Sequence, residues 1–255
     1  MPDAVVDIGN SRIKFCRVAN GSLKLPVRGL ATDDPTAWDR LATEWSFASG
    51  RVWAVASTSP GRLKQFTEWA AARGDAVTAI DSARKVPLTV RVDEPAAVGI
   101  DRLLNVLAAS ALVKPGRPAI VVDAGSAVTV DLLDEQGAFA GGTILPGLRL
   151  MALSLRENTA QLPLVDASAA LPVGPPGKNT DAAMKLGIVY AVAGGIDAII
   201  RETAAGCATA PYLFLTGGDM TPQLAGLLQS RHQFQSEIRP TLTLEGILRA
   251  AESRT

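Results

Sequence analysis

Val5-Val6-Asp7-Ile8-Gly9-Asn10-Ser11, answered later by Val121-Val122-Asp123-Ala124-Gly125-Ser126-Ala127, is the wording that decides the fold. Each stretch reads as a short apolar strand that ends on Asp, turns through Gly and enters a second β-rich run. That run is Arg12 to Val18 in the first copy and Val128 to Leu133 in the second. A glycine in the turn lets backbone approach an anion closely, and turn amides can point at phosphate oxygens. The Asp at the strand end would repel phosphate and instead suits Mg²⁺ or its waters. Side-chain alternation puts Arg12 and Lys14 on one face of the second strand, where Lys14 can neutralise a β- or γ-phosphate. In the second copy Ser126 and Thr129 add hydroxyl donors. Singly, each hairpin is also an ordinary Asp-Gly turn. Together they predict two similar half-molecules facing each other across a cleft that holds a nucleotide triphosphate and its metal.

Working outward from the first hairpin, a third strand is predicted at Leu23 to Val27 after an Asn20-Gly21 turn. Helices at Trp38 to Trp45 and Leu63 to Arg73 alternate with strands at Val52 to Ala56 and Val77 to Ile80. This β-β-β-α-β-α-β order is a mixed sheet with helices on its faces. A helix from Asp101 to Leu112 follows, ended by Lys114-Pro115-Gly116. The second meander then runs through Ala119 to Val122, Val128 to Leu133 and Ala138 to Leu145, with a Gln136-Gly137 turn. Helices are predicted at Leu148 to Glu157, Thr180 to Ala204 and Leu242 to Ala251, and a strand at Tyr212 to Leu215. Leu162 to Lys178, rich in Pro, Gly and Ala, reads as an ordered loop or flap. The domains divide as 1–115 and 116–255.

Composition narrows the function classes. At 255 residues, 47% hydrophobic and 20% charged, the chain suits one or two folded cores rather than disorder. Lys+Arg and Asp+Glu balance at 25 each, which argues against a broad nucleic-acid surface. Two cysteines, Cys16 and Cys207, lie far apart in sequence and fit a reduced cytoplasmic chain. His232 is the single histidine, so Cys and His cannot build a zinc site. Its polar neighbours Arg231 and Gln233 place it on the surface. No basic, apolar, small-residue leader is expected ahead of the first strand. The most apolar run, Met184 to Ile200, is broken by Lys185 and Asp197, so no membrane span is expected.

Other phrases read two ways. Gly99-Ile100-Asp101-Arg102 opens a helix, where Asp is favoured by free amides and the dipole. The same carboxylate beside a guanidinium could take a proton from a substrate alcohol while Arg102 binds an anion. Gly141-Gly142-Thr143-Ile144-Leu145-Pro146-Gly147 and Leu215-Thr216-Gly217-Gly218-Asp219 each join a strand to a helix. Their glycines permit either an adenine or ribose against backbone or tight strand–helix packing. Gly174-Pro175-Pro176-Gly177-Lys178-Asn179-Thr180 imitates a phosphate-binding P-loop, but the spacing is short and no apolar strand precedes it. Trp38, Trp45, Trp53 and Trp69 read as core rather than base-stacking residues.

With these phrases in order, the chain resembles the type III pantothenate kinases, within the acetate and sugar kinase/Hsp70/actin superfamily. The resemblance rests on Asp7 to Ser11, Gly99 to Arg102, Asp123 to Asp131, Gly141 to Leu148, Asn179 to Gly187 and Leu215 to Asp219. It implies an α/β fold of two duplicated ribonuclease H-like domains, each a mixed sheet with flanking helices. It also implies transfer of phosphate from ATP to the terminal hydroxyl of pantothenate, the first step of coenzyme A biosynthesis. Asp7, Ile8, Gly9, Asn10, Ser11, Arg12, Ile13 and Lys14 would form the ATP phosphate loop, with Asp7 holding Mg²⁺ through water. Ser126 would contact ATP. Gly99, Ile100, Asp101, Arg102 and Thr180 would bind pantothenate, Asp101 being the proton acceptor. Asp123 would ligate a monovalent cation, K⁺ or NH₄⁺. The expected partners are ATP, pantothenate and a second copy in a homodimer that helps close the pantothenate pocket, with no nucleic acid and no membrane. Two departures from the family pattern stand out. Val92 replaces a Tyr nine residues before Asp101, removing a hydrogen bond and an aromatic wall. Ser126 replaces a Thr and keeps the hydroxyl. Rival readings are another small-molecule kinase of the superfamily and a non-catalytic regulator on a kinase-like scaffold.

Overall fold

The computed structural model describes residues 1–9, 12–30, 34–169 and 174–253. The chain divides into two compact units, Met1–Ala111 with Thr241–Thr255, and Leu112–Pro240.

The first unit is built on a five-stranded sheet. Strands β1 (Ala4–Ile8), β2 (Ile13–Ala19) and β3 (Ser22–Leu30) form an antiparallel meander, and β4 (Val52–Ser57) and β5 (Ala76–Ile80) extend it in parallel. The order is β3-β2-β1-β4-β5. Asn20 and Gly21 both have positive φ, 53° and 67°, as a tight two-residue hairpin turn requires. Alternation sends Ala4, Val6 and Ile8 to one face. There they meet α1 (Pro35–Glu44) and α2 (Pro60–Ala72) through Trp38, Leu41, Phe66 and Trp69. Trp38, Trp45, Trp53 and Trp69 are all core residues, with ring centroids 5.2 to 6.4 Å apart within this aromatic cluster.

The opposite face, onto which Val5 and Asp7 project, carries α3 (Ile100–Ser110) and α7 (Leu242–Glu252). These helices pack closely because Gly246 has no side chain: a Cβ there would sit 2.1 Å from the Leu104 carbonyl oxygen. A buried hydrogen bond from Thr243 Oγ1 to Asn105 Oδ1, 2.8 Å, joins the same pair. The final helix therefore belongs with the N-terminal sheet, whereas the 1–115 and 116–255 division assigns it to the second unit.

The second unit repeats the plan. Strands β6 (Ala119–Ala124), β7 (Ala127–Leu133) and β8 (Phe139–Pro146) are antiparallel, and β9 (Tyr212–Thr216) and β10 (Ser236–Ile238) add in parallel. Their order, β10-β9-β6-β7-β8, is that of the first sheet read from the other end. One face packs against α4 (Leu148–Glu157), α5 (Thr180–Ala205) and α6 (Pro222–Arg231). The N-cap of α5 is Asn179, whose side chain accepts from the Ala182 amide at 2.8 Å. Met184, Ile188, Val192, Ile196 and Ile200, every fourth residue, form its buried stripe. Contrary to the expectation from Lys185 and Asp197, α5 is long and apolar enough by length and composition to cross a membrane. Its stripe is nonetheless spent on the core of this unit, and both charges are paired, Lys185 with Asp181 and Asp197 with Arg201.

His232 is not on the surface. Its side chain is 3% exposed, stacks on Phe234 and places Nε2 3.1 Å from Asp197 Oδ1, without hydrogen-bond geometry. Arg201 and Arg231 pair with the same carboxylate. Burial pushes the imidazole pKa below its ordinary 6.5, Asp197 opposes this, and the two arginines reinforce it. Between 6.5 and the lower folded value the unfolded chain binds more protons, so stability falls as pH drops through that window. Urea midpoints measured from pH 7.5 to 5 should therefore decline, and His232→Gln should flatten that slope.

Candidate active site

In the first unit the site begins with register. Asp7 stands directly opposite Lys14 across β1 and β2, and Lys14 Nζ lies 3.9 Å from Asp7 Oδ2. Both side chains are partly exposed, so the pair is open to a ligand rather than locked in the core. Ile8 and Ile13, the next pair along, are buried on the opposite face, which leaves only their main chain for a ligand. The turn closes through the Gly9 amide, which donates to the Arg12 carbonyl at 3.1 Å, and Arg12 itself is exposed just ahead of β2. Asn10 and Ser11 lie outside the described residues. A residue not anticipated from sequence joins here: Arg62, in the first turn of α2, donates from Nη1 to the Gly9 carbonyl at 2.6 Å. Its only sequence signal is the Pro60-Gly61 pair that starts the helix.

Asp101 is the second residue of α3 and is half-buried. Its Oδ1 accepts the Arg102 amide at 2.9 Å, so the helix-start role is present. A Cβ on Gly99 would come 2.7 Å from that oxygen, so this glycine leaves room for the carboxylate. Ile100 is buried in the core. Val92 is half-buried in the loop before α3. Neither tyrosine of the chain lies in this unit, and all its Phe and Trp residues pack in the core against α1 and α2. No aromatic of this unit therefore replaces the missing tyrosine.

In the second unit Asp123, half-buried at the end of β6, is flanked by two threonines. Thr129 of β7 and Thr216 of β9 are its direct register partners. Thr216 is buried, and the Thr129 hydroxyl is buried without a hydrogen-bond partner. The Ala124–Ser126 turn beyond is clamped by backbone. The Gly147 amide donates to the Ser126 carbonyl at 3.1 Å and the Asp219 amide to the Ala124 carbonyl at 2.8 Å. Cβ atoms on Gly147 and Gly217 would lie 2.1 Å from the Gly125 oxygen and 2.2 Å from the Ala124 oxygen. These two glycines thus serve packing of the turn, whereas Gly218 faces open space. Ser126 is exposed at the turn. Among the described residues no group of three or more His, Cys, Asp or Glu side chains is placed to hold a metal ion by itself.

Thr180, the first residue of α5, is exposed and lines a mostly apolar cavity of about 860 Å³ with Leu150, Met151, Leu155, Lys178 and Met184. Gly177 before it packs on the first turn of α5, where a Cβ would lie 2.4 Å from the Ala183 amide nitrogen. The P-loop look-alike is a helix cap.

A model of the type III pantothenate kinase family matches residues 4–202. The chain belongs to that family. Curated relatives named type III pantothenate kinase span nearly all of it. That of Sphingopyxis alaskensis is 32% identical over 95% of each chain, and that of Moorella thermoacetica is 32% identical over 98% of each. Among solved structures, the activator of the 2-hydroxyisocaproyl-CoA dehydratase from Clostridium difficile, with bound ADPNP, aligns at TM-score 0.57 and 14% identity. It covers 100% of this chain and 97% of that one. The ethanolamine utilization protein EutJ from Carboxydothermus hydrogenoformans aligns at TM-score 0.54 and 15% identity, over 96% and 88%. Such distant likenesses speak for the fold alone, and they agree with an α/β fold of two duplicated domains, each a mixed sheet with flanking helices.

Proposed function

We propose that this type III pantothenate kinase family member transfers the γ-phosphoryl group of ATP to the terminal hydroxyl of pantothenate. The product is 4′-phosphopantothenate, and the step opens coenzyme A biosynthesis. The observation that carries the reading is the matched pair of acid-tipped hairpins, one bearing the Asp7–Lys14 pair and the other Asp123 between two threonines.

Phosphoryl transfer asks the protein for positioning and charge neutralisation rather than covalent chemistry. The pantothenate oxygen bonds to the γ-phosphorus as the bond to the β,γ-bridging oxygen breaks. ADP leaves, and the hydroxyl proton passes to Asp101. An aspartate is a weak base, so it takes this proton late in the transfer. Lys14, with Asn10 and Ser11 of the same loop, meets the phosphates, Ser126 contacts the nucleotide, and Gly99, Arg102 and Thr180 hold pantothenate. Asp7 would hold Mg²⁺ through water, in keeping with the few carboxylates that ion takes when phosphates complete its shell. Asp123 would hold K⁺ or NH₄⁺, and the unpartnered Thr129 hydroxyl beside it suits such a site. These cations supply charge neutralisation on the triphosphate. A homodimer and a cytoplasmic location complete the reading.

The test is mass-spectrometric detection of 4′-phosphopantothenate from the purified chain with ATP, Mg²⁺, K⁺ and pantothenate. ATP consumption without that product would indicate another small-molecule kinase, and ATP binding without turnover a regulator. Arg62 offers a second check. Its charge-assisted bond to Gly9 fixes the first turn, and such a bond is worth about 1.5–3 kcal/mol. Arg62→Ala should therefore raise the KM for ATP by roughly tenfold or more, measured from initial rates, while the KM for pantothenate holds.

A further inference from the structure

The Thr129 hydroxyl stands out on β7. Its Oγ1 is buried and makes no hydrogen bond. Buried hydroxyls are ordinarily paired, and one left alone destabilises the fold. The residue sits on β7 directly across from Asp123 on β6, and Asp123 is in turn directly across from Thr216 on β9. Residues so paired project to the same face with Cβ atoms about 4.5–5.5 Å apart. This is the face away from α5, since Val122, Val128 and Val130 fill the helix-facing side. Hydroxyl and carboxylate are therefore neighbours, yet the hydroxyl does not donate to the carboxylate.

Whatever engages both groups must be acceptable to a carboxylate. An anion, including a phosphate oxygen, would be repelled by Asp123. A cation would be drawn to it, and a hydroxyl offers two lone pairs to the same ion. Oxygen donors of this kind suit hard cations. We propose that Thr129 Oγ1 is a further ligand of the monovalent cation assigned to Asp123. This rests on the cation reading under Proposed function and goes beyond it by naming a second protein oxygen in the site.

Replacing the hydroxyl by a methyl group of similar size removes no protein hydrogen bond, so Thr129→Val should leave the melting temperature without cation unchanged or raised. The experiment uses the full chain with saturating ADP and Mg²⁺, which prevents turnover. The melting temperature is followed against KCl, with choline chloride holding ionic strength constant. Wild type should gain stability with K⁺ and saturate. Thr129→Val should need roughly tenfold more K⁺ or above for half the shift, the scale on which support for a bound metal is lost. Thr129→Ser, which keeps the hydroxyl, should stay near wild type, and Thr129→Ala should follow Val. The Ser and Ala pair carries the test by itself if the Val variant does not fold. A K⁺ curve for the hydroxyl-free variants that superimposes on wild type overturns the Thr129 assignment alone. So does an unchanged K⁺ curve with a raised KM for ATP, which would make the hydroxyl a nucleotide donor. A wild type that shows no K⁺-dependent shift overturns the cation reading of Asp123 and this assignment with it.

Discussion

Asp101→Asn should lower kcat by about 10²–10⁴-fold, the usual worth of a positioned general base, while the affinity for ATP stays within about twofold. The substitution is informative because it separates the two roles of this residue. As a helix-start residue Asp101 works through Oδ1, which accepts the Arg102 amide at 2.9 Å. Asparagine keeps an oxygen that can accept that bond. Only the favourable interaction of a negative charge with the helix dipole is lost, about 0.3–1 kcal/mol. Folding should therefore survive, and circular dichroism with a urea melt would confirm it. Proton acceptance, by contrast, has no substitute in an amide. Single-turnover rates with saturating ATP and pantothenate measure the chemical step directly. A rate within tenfold of wild type would leave Asp101 as a helix-start residue and remove it from the mechanism.

The two hairpins were legible because three local signals coincide at each. Apolar alternation gives the strand, Gly gives the turn, and an aspartate stands where a core strand has no use for one. The meanders followed for the same reason, down to the Asn20-Gly21 turn with its two positive φ angles. What escaped the sequence lacked such agreement. Strand β10 is three residues, Ser236–Ile238, too short to show a period. Helix α6 buries only Leu224, Ala225 and Leu228, a thin stripe easily read as loop. His232 looked exposed because its sequence neighbours are polar, but burial is decided by Phe234 and by Asp197 on another helix. The placement of α7 rests on Gly246, a glycine in mid-helix whose meaning depends on Leu104, well over a hundred residues earlier. Within the candidate site, Asp7 emerged from its place at a strand end and Lys14 from alternation, while Arg62 and the orphaned Thr129 hydroxyl needed three dimensions.

Glycine-rich phrases were the hardest to read, since a ligand and a neighbouring backbone make the same demand for an absent side chain. Gly217 and Gly218 settle this by experiment. Gly217 has φ of +107°, a region costly for any L-residue, and its Cβ would fall 2.2 Å from the Ala124 carbonyl oxygen. Backbone strain of about 1–3 kcal/mol and a similar cost for forcing atoms into filled space act together. Gly217→Ala should therefore lose about 2–6 kcal/mol in a urea melt, a large share of the roughly 5–15 kcal/mol that holds a domain. The strain falls on the Ala124–Ser126 turn, so ATP binding by the folded fraction should weaken as well. Gly218→Ala is the contrast, because nothing lies within 4 Å of its Cβ position. Its stability should match wild type. If the second glycine nevertheless serves a nucleotide ring, Gly218→Ala will raise the Kd for ATP with no change in the melt. Equal destabilisation by the two substitutions would contradict the packing account, since only Gly217 has backbone against it.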